Sequence, residues 1–238
     1  MHYQSQVDSV GQVLGAEVLL RWLHPQRGLI APGQFIPLAE EAGLIAPIGN
    51  WVLETTCLQL ASWAMQPTLS GLTLSVNVSS HQFHQSDFVE RVSQILVQTG
   101  ADPERLRLEL TESIMVRDVD DVVAKMSALR GQGVGFSLDD FGTGYSSLAY
   151  LKRMPIDQLK IDQGFVRDIL TDHNDAAIAR MVIVLAESMG LSVIAEGVET
   201  QQQRDCLAAL GCHEYQGYLF GRPVPVKDFE AVLLRAAA

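Results

Sequence analysis

Cysteine is scarce in this chain of 238 residues: Cys57, Cys206 and Cys212 are scattered, with no CxxC pair among them. An odd, dispersed set argues against a disulfide framework and favours reduced thiols in a cytosolic setting. Basic charge is in deficit as well, 17 Lys and Arg against 28 Asp and Glu, for a net charge of -11. That balance argues against an extended surface for a DNA or RNA polymer, which is normally met by a basic stripe. Any phosphate ligand must then be met locally, by metals or by a few arginines and lysines. Long apolar runs are missing too. The nearest, Met181 to Ala195, is interrupted by Glu187, Ser188 and Gly190, well short of the roughly 18 to 20 residues of a membrane span. No direct membrane insertion is expected, and Met1 to Val10 lacks the basic start and apolar core of a signal peptide. Linkers, repeats and low-complexity segments are lacking, which favours one domain over 1–238.

What the chain does have is ample core material, with 47% hydrophobic residues. Short β-type runs alternate with helical patterns, as in repeated βα units around a parallel sheet. Extended segments are expected at Tyr3 to Val7, Ala16 to Trp22, Leu72 to Val78, Arg105 to Leu110, Val134 to Leu138, Gln158 to Ile161, Ser192 to Ala195 and Glu214 to Tyr218. Helices are expected at Pro32 to Ala42, Ile48 to Met65, Ser86 to Thr99, Val119 to Arg130, Asn174 to Met189, Gln201 to Leu210 and from Val226 onward. An open doubly wound sheet fits the same alternation, but it draws its ligand groups from a few strands at one switch point. Here Glu17, Asn77, Glu109, Asp139, Lys160, Glu196 and Gln216 each fall in or just after a different β-type run. Functional groups from nearly every strand favour a closed (β/α)8 barrel with its site at the C-terminal mouth.

The stretch from Val134 to Leu148 changes abruptly from apolar residues to Asp139 and Asp140, followed by Gly142 and Gly144. Adjacent carboxylates repel and lose hydration on burial, so they need a cation or a shared proton. A solvated acidic turn is the alternative. With Glu17, Asn77 and Glu109 the pair makes a set of hard oxygen donors, suited to Mg2+ or Mn2+ rather than to zinc, and large enough for two ions. Paired cations assist phosphoester displacement. Lys160, within the run QLKID, either snorkels from a strand end or enters the barrel mouth to hold a water and offset phosphate charge. Glu196 and Glu199 could be local helix N-terminal carboxylates, although their place after a buried strand points Glu196 toward the metals.

The segments EVLLRW (17–22), NVS (77–79), ELTES (109–113), DDFGTGYSSL (139–148), LKID (159–162), EGVE (196–199) and QGYLFGRP (216–223) together resemble the EAL-domain family. That resemblance implies a modified TIM barrel and hydrolysis of cyclic di-GMP to linear 5'-pGpG in bacterial signalling. Matched position by position, it implies one metal on Glu17, Asn77, Glu109 and Asp139, and a second on Asp139, Asp140 and Glu196. Lys160 would contact the nucleophilic water, Asp162 would support it, and Glu196 or the metals alone would serve as base. Glu112 would anchor the loop from Phe141 to Ser147, Glu199 would act in support, and Gln4, Arg21 and Gln216 would meet the dinucleotide. Two positions depart from the family pattern: Val18 replaces an alanine, with packing consequences only, and Ser5 replaces a proline. The usual N-terminal helix is expected to be missing, because Met1 lies almost on the YQ segment; adding upstream residues should then raise the melting temperature. Homodimerisation and an upstream sensor or GGDEF partner are family expectations, with the chain as a cytoplasmic output domain of a larger, membrane-anchored protein. A different class of function is an inactive EAL module that serves as a cyclic di-GMP receptor or a protein-interaction domain.

Overall fold

The connection after the first strand is too short for anything but a reversal. A parallel neighbour needs a crossover of a dozen or more residues, whereas only residues 8–12 separate β1 (His2–Val7) from β2 (Val13–Leu19). Asp8 organises that turn, its Oδ1 accepting from the backbone N–H groups of Val10 and Gln12 at 2.9 and 2.8 Å. The strand β1 therefore runs antiparallel to β2.

The computed structural model describes residues 1–116, 118–142 and 148–236. A small hairpin follows, formed by β3 (Trp22–His24) and β4 (Gly28–Ile30), and then β5 (Thr73–Asn77), β6 (Leu106–Thr111), β7 (Gly135–Phe141), β8 (Gln158–Ile161), β9 (Ser192–Ala195) and β10 (Glu214–Gln216). Among the described residues eight strands close into a barrel in the order β1-β10-β9-β8-β7-β6-β5-β2. Pairing is parallel except where β1 meets β2 and β10. The architecture is a modified TIM barrel, the modification being its reversed first strand.

Outward-facing residues of the strands make the hydrophobic core. Leu74, Leu106, Leu108, Phe136, Leu138 and Leu159 are fully buried against a jacket of helices, among them α1 (Pro32–Glu41), α2 (Ile45–Ala64), α3 (Ser80–Phe83), α4 (Phe88–Thr99) and α5 (Val119–Arg130). The jacket continues with α6 (Leu148–Leu151), α7 (Gln163–Arg167), α8 (His173–Met189), α9 (Gln201–Leu210) and α10 (Val226–Ala236). Because side chains alternate along a strand, the residues between those apolar ones point into the barrel: Ser75, Glu109, Ser137, Gln158 and Lys160, all buried. A barrel of this kind is ordinarily filled with branched apolar residues; here the interior is polar. No helix among the described residues is long and apolar enough to cross a membrane.

Several boundaries differ from expectation. The second strand spans Val13–Leu19 rather than Ala16 to Trp22, because residue type does not mark where a strand enters or leaves the sheet. Trp22 instead opens the unanticipated β3–β4 hairpin. The strand expected to end at Leu138 continues through Asp139 and Asp140 to Phe141. Its register shifts between Leu138 and Phe141, and Asp140 adopts a left-handed φ of 56°, the features of a bulge that re-aims side chains. The last barrel strand stops at Gln216, not Tyr218, and α3 was not anticipated. Five residues of the Phe141 to Ser147 loop, 143–147, lie outside the described residues.

Candidate active site

One inward residue at the mouth comes from each barrel strand or from the residue just after it. These are Gln4 on β1, Glu17 on β2, Asn77 on β5, Glu109 on β6, Asp139 on β7, Lys160 on β8, Glu196 after β9, and Gln216 on β10. Their contacts form two groups of four, one around Glu17 and one around Lys160. Asn77 Nδ2 donates to Glu17 Oε1 at 2.6 Å, and Gln216 Nε2 donates to Glu17 Oε2 and to Gln4 Oε1. Lys160 Nζ lies 2.5 Å from Glu109 Oε2, 2.5 Å from Glu196 Oε1 and 3.6 Å from Asp139 Oδ2.

The electrostatics follow from burial. Lys160 has no exposed side-chain surface; desolvation would depress its pKa, but Glu109, Glu17, Glu196 and Asp139 together hold it well above the usual lysine range. Burial pushes the Glu109 and Glu196 carboxyls up against the pull of Lys160, and the neighbouring carboxylates add to the rise. Asp140 is raised by burial first, then by Asp139 and Asp162. One lysine thus faces more anions than it can neutralise.

That excess is the observation that tests for a metal. The donors are carboxylate and amide oxygens, which suit a hard cation, and Glu109 Oε1 is buried without a hydrogen-bond partner. Among the described residues no three His, Cys, Asp or Glu side chains are gathered so that they could hold a metal ion. The reason is visible in the contacts: the Lys160 ammonium sits among Glu109, Asp139 and Glu196, while the N–H groups of Asn77 and Gln216 face Glu17. These positive groups stand where a cation's charge would be felt, and the residue types fit one.

Beside this cluster lies a cleft of about 420 Å3. Gln4, Glu17, Arg21, Glu196, Glu199 and Gln216 line it, as do Pro32 and Tyr218. Arg21 is folded back, Nη1 donating to Leu20 O at 2.9 Å. Glu112 Oε1 accepts from Gly142 N at 2.8 Å, fastening the start of the loop after β7. Asp162 caps α7 by accepting from Gly164 N at 2.9 Å, a bond to the backbone and not to Lys160. Sequence reasoning missed Tyr218, which Arg222 covers at 4.2 Å from the ring centroid.

A barrel that carries one polar group per strand to a common mouth has the build of the TIM-barrel enzymes. The family model for the EAL domain matches residues 1–223, and the chain belongs to the EAL-domain family. The bifunctional diguanylate cyclase/cyclic di-GMP phosphodiesterase MucR of Pseudomonas aeruginosa is 46% identical over 232 residues, covering 97% of this chain and 34% of MucR. The chain thus spans about a third of the length of that curated relative. A solved structure of the PaMucR phosphodiesterase in complex with c-di-GMP has 45% identity and a TM-score of 0.93, covering 96% of this chain and 92% of that one. The manganese/cy-diGMP complex of BlrP1 from Klebsiella pneumoniae has 28% identity and a TM-score of 0.79, covering 94% and 55%.

Proposed function

We propose that this chain hydrolyses cyclic di-GMP to linear 5'-pGpG. The observation that carries the reading is the buried Lys160 ammonium held by Glu109 and Glu196 beside a Glu17 carboxylate whose two oxygens are each met by an amide. The ring phosphodiester lies in the cleft, with the Arg21 guanidinium turned to a non-bridging oxygen as a charge-assisted contact. Gln4 and Gln216 orient the dinucleotide. Lys160 holds the attacking water and offsets charge on the phosphate, and Glu196 takes the water's proton. As the new O–P bond forms, the P–O3' bond breaks and the O3' alkoxide takes a proton from solvent, so the phosphate stays on the 5' side. Mg2+ or Mn2+, as two ions on Glu17, Asn77, Glu109 and Asp139 and on Asp139, Asp140 and Glu196, would supply Lewis acidity and charge neutralisation. The same reading makes residues 1–238 one catalytic domain, the cytoplasmic output part of a longer signalling protein.

The test is direct. With Mg2+ or Mn2+ the purified chain should convert cyclic di-GMP to 5'-pGpG, read by chromatography. Glu17→Ala and Lys160→Ala should each lower turnover by about 100-fold or more, the scale of losing a transition-state electrostatic contact. Ca2+ should inhibit, since its looser shell positions the nucleophile less rigidly. Tight binding of cyclic di-GMP with no product would replace hydrolysis by a receptor role.

A further inference from the structure

We propose that Gln6 is a positioning residue for this reaction: its side-chain amide sets which way round the Gln216 amide stands, and Gln216 in turn holds Glu17 and Gln4. The inference rests on the hydrolytic reading and adds a residue outside the mouth itself.

Gln216 is 4% exposed, and its Nε2 faces Glu17 Oε2 and, at 3.3 Å, Gln4 Oε1. A carboxylate only accepts, so the NH2 group must be on that side and both of its protons are used. The carbonyl Oε1 is therefore turned toward β1. There Gln6, also 4% exposed and directly opposite Gln216 in the strand register, donates from Nε2 at 3.0 Å. The relay continues from Gln4 Nε2 to Gly221 O at 3.2 Å, so one orientation runs from position 6 to the segment beside the cleft. Turning Gln216 over would set its carbonyl oxygen against both Glu17 and Gln4 Oε1. Position 6 must donate for the productive orientation to be the satisfied one.

Three substitutions separate donation from packing. Gln6→Lys keeps a donor, Gln6→Met keeps length without a hydrogen bond, and Gln6→Glu, ionised, only accepts and draws the Gln216 NH2 toward itself. For each, kcat and KM are measured with Mn2+, and the Kd for cyclic di-GMP is measured by calorimetry in Ca2+; melting temperatures report the fold. Gln6→Glu and Gln6→Met should lower kcat/KM and weaken Kd by about tenfold, whereas Gln6→Lys should stay within about threefold of wild type on both. Wild-type behaviour of Gln6→Glu and Gln6→Met overturns the proposal, and so does a Gln6→Lys defect as large as theirs. Should the unmodified chain give no 5'-pGpG, it is the hydrolytic reading that fails, and the calorimetric series still decides the role of Gln6.

Discussion

Lys160 is a cation taken fully out of water, and it stays charged there because carboxylates surround it. Its role was open in the sequence, where QLKID reads equally as a snorkelling strand end; only closure of the barrel shows the side chain turned inward. Glu17, Asn77, Glu109 and Asp139 could be singled out beforehand because a carboxylate or amide in a β-type run is costly unless it is paired. Gln6 could not, since an uncharged amide in a short amphipathic strand is unremarkable until its partner across the sheet is known. Some glycines are equally silent in one dimension. A Cβ added at Gly15 would lie 2.2 Å from Thr73 O, on the neighbouring strand. Gly15→Ala should therefore force β2 and β5 apart and destabilise the fold by about 1–3 kcal/mol, measured by urea denaturation; stability equal to wild type would show that the strands can yield there without cost.

At the scale of elements, the helices and strands follow hydrophobic period closely, and the misses have physical causes. Apolar pattern reports burial, not hydrogen bonding, so the β7 strand seemed to stop at its carboxylates although Thr111 and Ile161 still pair with Asp139 and Phe141. The β3–β4 hairpin has only 3 residues in each strand, too few for an alternation to stand out in the sequence. The closing helix α10 was foreseen, but not what it closes. Phe229 is 3% exposed and stacks on Trp63 with centroids 5.7 Å apart, beside Tyr3 of β1, while Trp63 Nε1 donates to Glu230 Oε1 at 2.7 Å. The reversed first strand is thus clamped from outside by the last helix. Phe229→Ala should cost about 3–5 kcal/mol, seen as a lower denaturation midpoint. If the midpoint is unmoved, α10 does not hold β1 in place.

For the molecule as a whole, a polar interior is the main departure from an ordinary barrel. Below the mouth, Gln158 Oε1 accepts from Arg107 Nη1 and Ser137 Oγ, both at 3.0 Å, and Gln158 Nε2 donates to Glu214 Oε2 at 2.6 Å. Burial raises the Glu214 carboxyl above its ordinary range, against the opposing pull of Arg107 and Gln158. The native state then holds that proton more tightly than the unfolded chain does. Its contribution to stability is complete at low pH and is lost as pH rises through the native value. Relative to wild type, Glu214→Gln should therefore gain in stability between pH 4 and pH 7 in paired urea titrations; a constant difference across that range would mean that Glu214 titrates alike in both states.

By itself the sequence determined the βα alternation, the acidic balance and the set of hard oxygen donors, because period, charge and residue chemistry are local properties of the chain. Tertiary structure decided the direction of the first strand, the height at which each strand delivers its polar residue, and the order of amides around Glu17. Those depend on pairing between residues as far apart as Gln6 and Gln216, whose shared level in the barrel exists only once the sheet has closed.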